Sequence, residues 1–249
     1  MGARAETLAS LLRDARSAVV LTGAGISVPS GIPDFRTPGK GLWEKVNPME
    51  VAHIDAFRRD PDKFWGYYSQ RFMSLRDKRP NAAHEAVAEL ERRGLVRGVI
   101  TQNIDRLHSA AGSVDVIEVH GSISHSVCLE CGGRYTLERV IEKLESDPAC
   151  APECDACISP LKPDVVLFGE FLPEEAMRRA HELASDADLM LVIGSSLEVH
   201  PVAALPGITL DAGGRLAIVT QGPTPYDGDA AVKLDGDVVD ELRALLSAL

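Results

Sequence analysis

Short apolar runs alternate with longer amphipathic stretches along most of this chain, and the first run ends in a glycine turn. Residues 6–16 place Leu8, Leu11, Leu12 and Ala15 at helical spacing, and residues 18–21 form an apolar run that leads into Thr22-Gly23-Ala24-Gly25. The rhythm returns as a helix over 82–93, a strand over 96–101, a helix near 105–111 and a strand over 116–119. It resumes with a strand over 165–168, a helix over 174–184, a strand over 189–193, a helix near 202–205, a strand over 216–219 and a closing helix over 237–248. Short runs without polar alternation are buried on both faces, which calls for parallel pairing and crossover helices. The expected fold is α/β: a Rossmann-like parallel sheet with helices on both faces.

Two stretches break the rhythm. Residues 37–77 are rich in aromatics and read as helical from 61 onward, with Phe64, Tyr68, Phe72 and Leu75 on one stripe; residues 122–161 hold every cysteine. Both lie between strands, so the expected organisation is a main lobe of 1–36, 80–121 and 162–249. It would carry a helical insert (37–79) and a zinc-binding insert (122–161) that pack together as a smaller lobe. The pairs Cys128-x-x-Cys131 and Cys154-x-x-Cys157 suit tetrahedral sulfur coordination, with Cys150 a fifth thiol that would replace Cys154 if the loop folded differently. His125, close to the first pair, reads as a strand residue.

Composition narrows the function classes. The formal charge of −11 lacks the basic footprint that nucleic-acid binding needs, whereas a cationic peptide would be drawn to such a surface. The first residues have no apolar core with a cleavage site, and no stretch approaches a charge-free membrane span. Neither nucleic acid nor membrane is therefore an expected partner. Cysteines clustered in one segment suggest a metal in a reducing compartment, so a cytoplasmic enzyme is expected.

Gly23-Ala24-Gly25-Ile26-Ser27 after a strand suits a phosphate cradle, because glycines let backbone amides approach an anion. An alternative is an ordinary loop in which Phe35 plugs the core while Asp34 and Arg36 pair with each other. Gly23-Ala24-Gly25-Ile26-Ser27 with Ser30-Gly31-Ile32-Pro33-Asp34-Phe35-Arg36 resembles the first signature of the sirtuin family. Thr101-Gln102-Asn103-Ile104-Asp105 with Leu107-His108 resembles the second and His120-Gly121 the third. Lys162-Pro163-Asp164-Val165-Val166-Leu167-Phe168-Gly169-Glu170 and Gly194-Ser195-Ser196-Leu197 match two more, in the family's order.

The resemblance implies a single catalytic domain over 1–249. Such enzymes transfer an acyl group from lysine to the ribose of NAD, which is consumed, and release nicotinamide, O-acyl-ADP-ribose and free lysine. It makes His120 the base that deprotonates a ribose hydroxyl, a role suited to histidine near neutral pH. Asn103 and Asp105 would face the ribose and the nicotinamide amide, with Gln102 on the neighbouring ribose and Ile104 beside them. Ser27, Ile32 and Asp34 would form the nicotinamide pocket; Phe35 and Arg36 would cover the ribose and the diphosphate, excluding water. Gly194, Ser195 and Ser196 would bind phosphate or ribose, and Val238 is carried over as a further cofactor contact. Val166, Phe168, Gly169 and Glu170, together with Leu197 and Val199, would hold an acylated lysine peptide between two extended edges. The family's second cysteine pair precedes a Lys/Arg-Pro step, which implies Cys128, Cys131, Cys154 and Cys157 around one structural zinc. A monomer is expected.

Two positions depart from or refine the pattern. Where sirtuins usually carry Asn after the strand 216–219, this chain has Thr220 followed by Gln221, so an altered NAD affinity is expected. Tyr68-Ser69-Gln70-Arg71 upstream of Pro80-Asn81 resembles the Tyr-x-x-Arg of sirtuins that accept succinyl or malonyl lysine, and Ala52 falls where those enzymes keep a small residue. The competing reading is an exposed arginine on an amphipathic helix, and the segment 194–201 looks more like that of deacetylating sirtuins. An NAD hydrolase or ADP-ribosyltransferase on the same fold, or a zinc-ribbon interaction module on an inactive scaffold, are the alternatives of other classes.

Overall fold

The computed structural model describes residues 2–34 and 47–249. In chain order the strands are β1 (Ala18–Thr22), β2 (Val99–Thr101), β3 (Val116–Glu118), β4 (Gly121–Cys128), β5 (Arg134–Thr136), β6 (Leu161–Val165), β7 (Leu189–Ile193), β8 (Arg215–Val219) and β9 (Val232–Leu234). The helices are α1 (Gly2–Asp14), α2 (Pro48–Val51), α3 (Ile54–Arg59), α4 (Pro61–Arg76), α5 (Ala82–Arg92), α6 (Leu107–Ala111), α7 (Leu137–Ser146), α8 (Glu174–Asp186), α9 (Leu205–Asp211) and α10 (Val238–Ala248). None is long and apolar enough to cross a membrane.

A six-stranded sheet in the order β3-β2-β1-β7-β8-β9 is parallel throughout, as the unalternating apolar runs require. Along β1 successive side chains serve opposite faces. Val20 packs with Leu8, Leu12, Leu90 and Leu242 of α1, α5 and α10, while Val19 and Leu21 pack with Ala180, Ala184 and Leu205 of α8 and α9.

The two insertions share a third core. Phe64, Trp65, Tyr68 and Phe72 on α4 meet Val140, Ile141 and Leu144 on α7. Trp65 Nε1 donates to the Leu161 carbonyl at 2.8 Å, and the Ala151 amide donates to Asp62 at 2.7 Å. A three-stranded antiparallel sheet, β5-β4-β6, completes this lobe and includes His125 in β4.

One strand departs from expectation. The apolar run at 165–168 does not join the main sheet: β6 ends at Val165 and pairs antiparallel with β4. Beyond it the Val166 amide donates to His120 O, and Phe168 exchanges both backbone bonds with Ala52 and Ile54. The run is buried by loops that satisfy its backbone, which apolar patterning cannot distinguish from burial in a sheet.

Glycines fix how the loops after β1 and β7 meet. The Gly25 amide donates to Gly194 O at 2.8 Å. A Cβ on Gly25 would lie 2.7 Å from Gly194 Cα, and one on Gly194, which has φ +62°, would run into the Ile26 amide nitrogen. Gly194→Ala is expected to cost about 2–4 kcal/mol through strain and overpacking, lowering Tm by roughly 5–15 °C. A thermal melt within about a degree of the parent would contradict this packing.

Candidate active site

The chain runs outward through β1, β2 and β3 in one direction and through β7, β8 and β9 in the other. Connections therefore part company between β1 and β7, and a crevice opens at their carboxyl ends. Two clefts occupy it, of about 430 and 330 Å³, each of ligand size. The larger is lined by Gly23, Gly25, Asp34, Gly194, Ser195 and Ser196, and at its far end by Thr220 and Val238. The smaller is lined by Ser27, Ile32, Ile104 and Asp105 on one side and by Ala52, Tyr68, Arg71 and the segment 165–170 on the other. They share Gln102, Asn103 and His120, together with Ala24, Pro33 and Val199.

The loop after β2 is held by directed bonds. Gln102 Nε2 donates to Ser195 Oγ at 2.9 Å, tying this loop to the one after β7. Asn103 Nδ2 donates to Gly23 O at 3.0 Å and Ser27 Oγ at 3.1 Å. Ser27 Oγ donates to Asp105 Oδ2 at 2.6 Å, and the other Asp105 oxygen accepts from the Leu107 amide, the first of α6, at 2.9 Å. Few degrees of freedom remain, so the polar groups around the shared zone are preorganised.

His120 follows β3, half-buried, with Nδ1 3.0 Å from the Gln102 carbonyl oxygen. A carbonyl only accepts, so the ring proton resides on Nδ1 and the Nε2 lone pair is available to take a proton. Burial pushes this histidine below its usual value, partly opposed by the Gln102 carbonyl, and the ring is neutral at neutral pH. Gly121 must be glycine: at φ +74° its Cβ would strike the Asp164 carbonyl where the chain turns from His120 into β4.

Deeper in the smaller cleft, Tyr68 and Arg71 stand one helical turn apart on α4. Burial raises the Tyr68 phenol to about 12, against the opposing field of Arg71, and burial lowers the Arg71 guanidinium. Arg71 remains a cation. It is half-buried rather than an exposed surface arginine.

The Sir2 family model matches residues 23–201, which contain both clefts' shared residues and the cysteine segment. This chain is a member of the Sir2 family. Among curated relatives, an NAD-dependent protein deacetylase of Thermotoga maritima is 48% identical, over 95% of this chain and 94% of that one. An NAD-dependent protein deacylase of Thermus thermophilus is 43% identical, over 98% and 94% respectively. Among solved structures, a Sir2 variant with a deacetylated p53 peptide and 3′-O-acetyl ADP-ribose superposes with a TM-score of 0.93 at 46% identity, covering 98% of each chain.

In this sirtuin the residues expected at the site converge on the two clefts, with three exceptions. Phe35 and Arg36 lie outside the described residues. Leu197 lines neither cleft: it is buried, with φ +55°, so the segment 197–199 is not an extended edge throughout. The opposing segment is likewise paired on one side already, through Phe168 to residues 52–54. Motif reading gave no role to His84 and His108, buried behind the loop of Asn103. The Asn81-x-x-His84 capping box at the start of α5 and the position of His108 within the second signature were the available signals. Gln221, Gly236 and Asp237, which line the larger cleft beside Thr220 and Val238, were not singled out as contacts either.

The sirtuin's cysteine lobe brings Cys128, Cys131, Cys154 and Cys157 together, their sulfur atoms all within 4.8 Å of one another. A tetrahedron with roughly 2.3 Å zinc–sulfur bonds needs such spacing, about 3.8 Å between sulfurs. Cys150 is exposed and outside the group, and Cys154 is buried within it. Four thiolates leave no open position, so the zinc is structural. The Tyr135 hydroxyl braces Cys154 from behind, 3.2 Å from its Sγ, and itself accepts from the Asp155 amide at 2.7 Å. Removal of zinc by a strong chelator is expected to unfold this lobe and free the Trp65 indole from Leu161, shifting its fluorescence to longer wavelength. Unchanged emission after complete zinc loss would contradict a structural role.

Proposed function

We propose that this sirtuin transfers acyl groups from protein lysine to ADP-ribose, consuming NAD, with His120 as the base. One observation carries the reading: a cleft floored by glycine loops and a second, largely apolar cleft meet at His120, whose Nε2 is free to accept a proton. The larger cleft, ending at Thr220 and Val238, is the dinucleotide channel, with Gly194, Ser195 and Ser196 offering backbone and hydroxyl donors to phosphate and ribose. NAD supplies a ribose whose bond to nicotinamide is labile when bound. Asn103, Asp105 and Ser27 orient the nicotinamide end, and Ile32 and Ile104 keep water from it. The acylated lysine enters past Val166, Phe168, Gly169, Glu170 and Val199. The main lobe (1–36, 80–121 and 162–249) thereby holds the dinucleotide; the acyl side of the crevice is lined by its segment 165–170 and by Ala52, Tyr68 and Arg71 of the helical insert (37–79), while the insert 122–161 lines neither cleft.

An NAD hydrolase would not need a second cleft reaching the base, and an ADP-ribosyltransferase is separated by its products, since only deacylation yields O-acyl-ADP-ribose. His120→Ala is expected to lower kcat/KM for formation of O-acyl-ADP-ribose and free lysine by about 10²–10⁴, the contribution of one general base. In the parent enzyme kcat/KM should fall as pH drops, with a midpoint below 6.5 because burial depresses the His120 pKa and only the neutral ring accepts a proton. An H120A enzyme that retains parental turnover, or an acid limb centred well above 6.5, would remove the base assignment.

Acyl selectivity follows from Arg71. A half-buried guanidinium at the end of an apolar cleft is suited to a carboxylate, so succinyl and malonyl lysine are substrates alongside acetyl lysine. A charge-assisted hydrogen bond contributes about 1.5–3 kcal/mol. Arg71→Met should therefore lower kcat/KM on succinyl peptides roughly 10–100-fold while leaving acetyl peptides near the parental value. Equal effects on both peptides would show that Arg71 does not read the acyl carboxylate.

A further inference from the structure

Behind the loop that carries Asn103 and Asp105 lies a buried polar cluster to which the proposed chemistry assigns nothing. His108 on α6 is 2% exposed, with Nε2 2.9 Å from Thr22 Oγ1 at the end of β1. Thr22 Oγ1 donates to Thr101 Oγ1 at 2.8 Å, and Thr101 Oγ1 accepts the Asn103 amide at 3.1 Å. The other face of the cluster runs through His84. Its ring stands edge-on to His108 with centroids 5.0 Å apart, and its Nε2 lies 3.4 Å from Ser27 Oγ, the hydroxyl bonded to Asp105 and Asn103.

Proton placement follows from the partners. Thr22 spends its one hydrogen on Thr101, so His108 donates from Nε2 and Nδ1 carries a lone pair. That Nδ1 is buried without a hydrogen-bond partner. An unsatisfied lone pair is less costly than an unsatisfied N–H, which favours the same tautomer. Burial pushes His108 down to about 3, the neighbouring His84 adding to the effect, and burial pushes His84 to about 4 against the field of Asp105. Both rings are neutral and unsuited to acid–base exchange at neutral pH. A leucine would fill the position without an orphaned polar atom. A buried, incompletely satisfied polar group retained beside a site indicates a requirement other than stability.

We infer that His108 is a positioning residue for the NAD-facing loop, fixing Asn103 through the Thr22–Thr101 hydroxyl pair. The histidine holds the Thr22 hydroxyl so that it points at Thr101. Thr101 then presents its oxygen to the Asn103 amide, and this sets the backbone from which the Asn103 side chain reaches Gly23 O and Ser27 Oγ. Without the Nε2 donor, Thr22 has no fixed rotor orientation and the loop loses one of its anchors. The inference rests on the reading of Asn103 and Asp105 as residues that face the dinucleotide.

The test compares the zinc-loaded parent with His108→Leu, His108→Gln and Thr22→Val. Nicotinamide release from NAD with an acetyl-lysine peptide, Tm and amide exchange at Asn103 are measured for each. His108→Leu and Thr22→Val should each lower kcat about tenfold, as expected for one buried hydrogen bond, with peptide KM within about twofold. Tm of His108→Leu should not fall, since the orphaned Nδ1 is gone, while the Asn103 amide should exchange faster in Thr22→Val. His108→Gln, whose amide can donate to Thr22, should recover most of kcat. Parental kcat in Thr22→Val or in folded His108→Leu overturns the inference, as does a kcat loss that follows a fall in Tm and is not recovered by glutamine. If His108→Leu does not fold, Thr22→Val decides alone. A parent enzyme that releases no nicotinamide brings down the functional reading itself, a result distinct from any difference between variants.

Discussion

The loops after β1 and β7 touch with no side chain between them, and the site depends on that contact. Gly23, Gly25 and Gly194 allow a backbone-to-backbone approach that any Cβ would block, closed by the bond from the Gly25 amide to Gly194 O. Because the two strands are neighbours at the point where the connections diverge, this approach shapes the floor of the larger cleft. Strand order alone would leave an open crevice. The glycines set its depth and bring Ser195 within reach of Gln102.

From that floor, the polar residues of the second signature are fixed by bonds to backbone and to one another. Ser27 is the junction, accepting from Asn103 and donating to Asp105, whose other oxygen accepts the first amide of α6. That amide belongs to Leu107, at the start of the helix that carries His108 into the cluster behind the loop. Local helix chemistry and site geometry are therefore one network here, and a change in either is felt in the other.

His120 illustrates how a sheet edge can set an imidazole's tautomer without a carboxylate partner. Its Nδ1 proton is bound by the carbonyl of Gln102, so the tautomer is set by main chain, and burial keeps the ring neutral. The backbone of the same residue accepts from Val166, in the segment that lines the smaller cleft. One residue thus joins the larger cleft to the segment that follows the cysteine lobe, whose fold a zinc ion secures.

Much of this was legible in the chain itself. Apolar runs without alternation specify parallel strands because both their faces must be covered, and Gly23, Gly25 and Gly194 advertise a close approach because only glycine tolerates it. The two Cys-x-x-Cys pairs name their metal by sulfur count, and the helical stripe of Phe64, Tyr68 and Phe72 names its buried face. What the sequence could not say was which neighbours satisfy each backbone. The run at 165–168 reads as a sheet strand, yet its partners are His120 and residues 52–54; Leu197 reads as extended, yet turns left-handed. Spacing favours Cys154 over Cys150 as the third thiol, and folding places Cys154 in the sulfur cluster and Cys150 on the surface. The half-buried setting of Arg71 and the cluster of Thr22, Thr101, His84 and His108 likewise arise from residues distant in the chain. Periodicity reports which face is apolar. Hydrogen-bond partners are chosen by three-dimensional proximity, and only the tertiary structure supplies that.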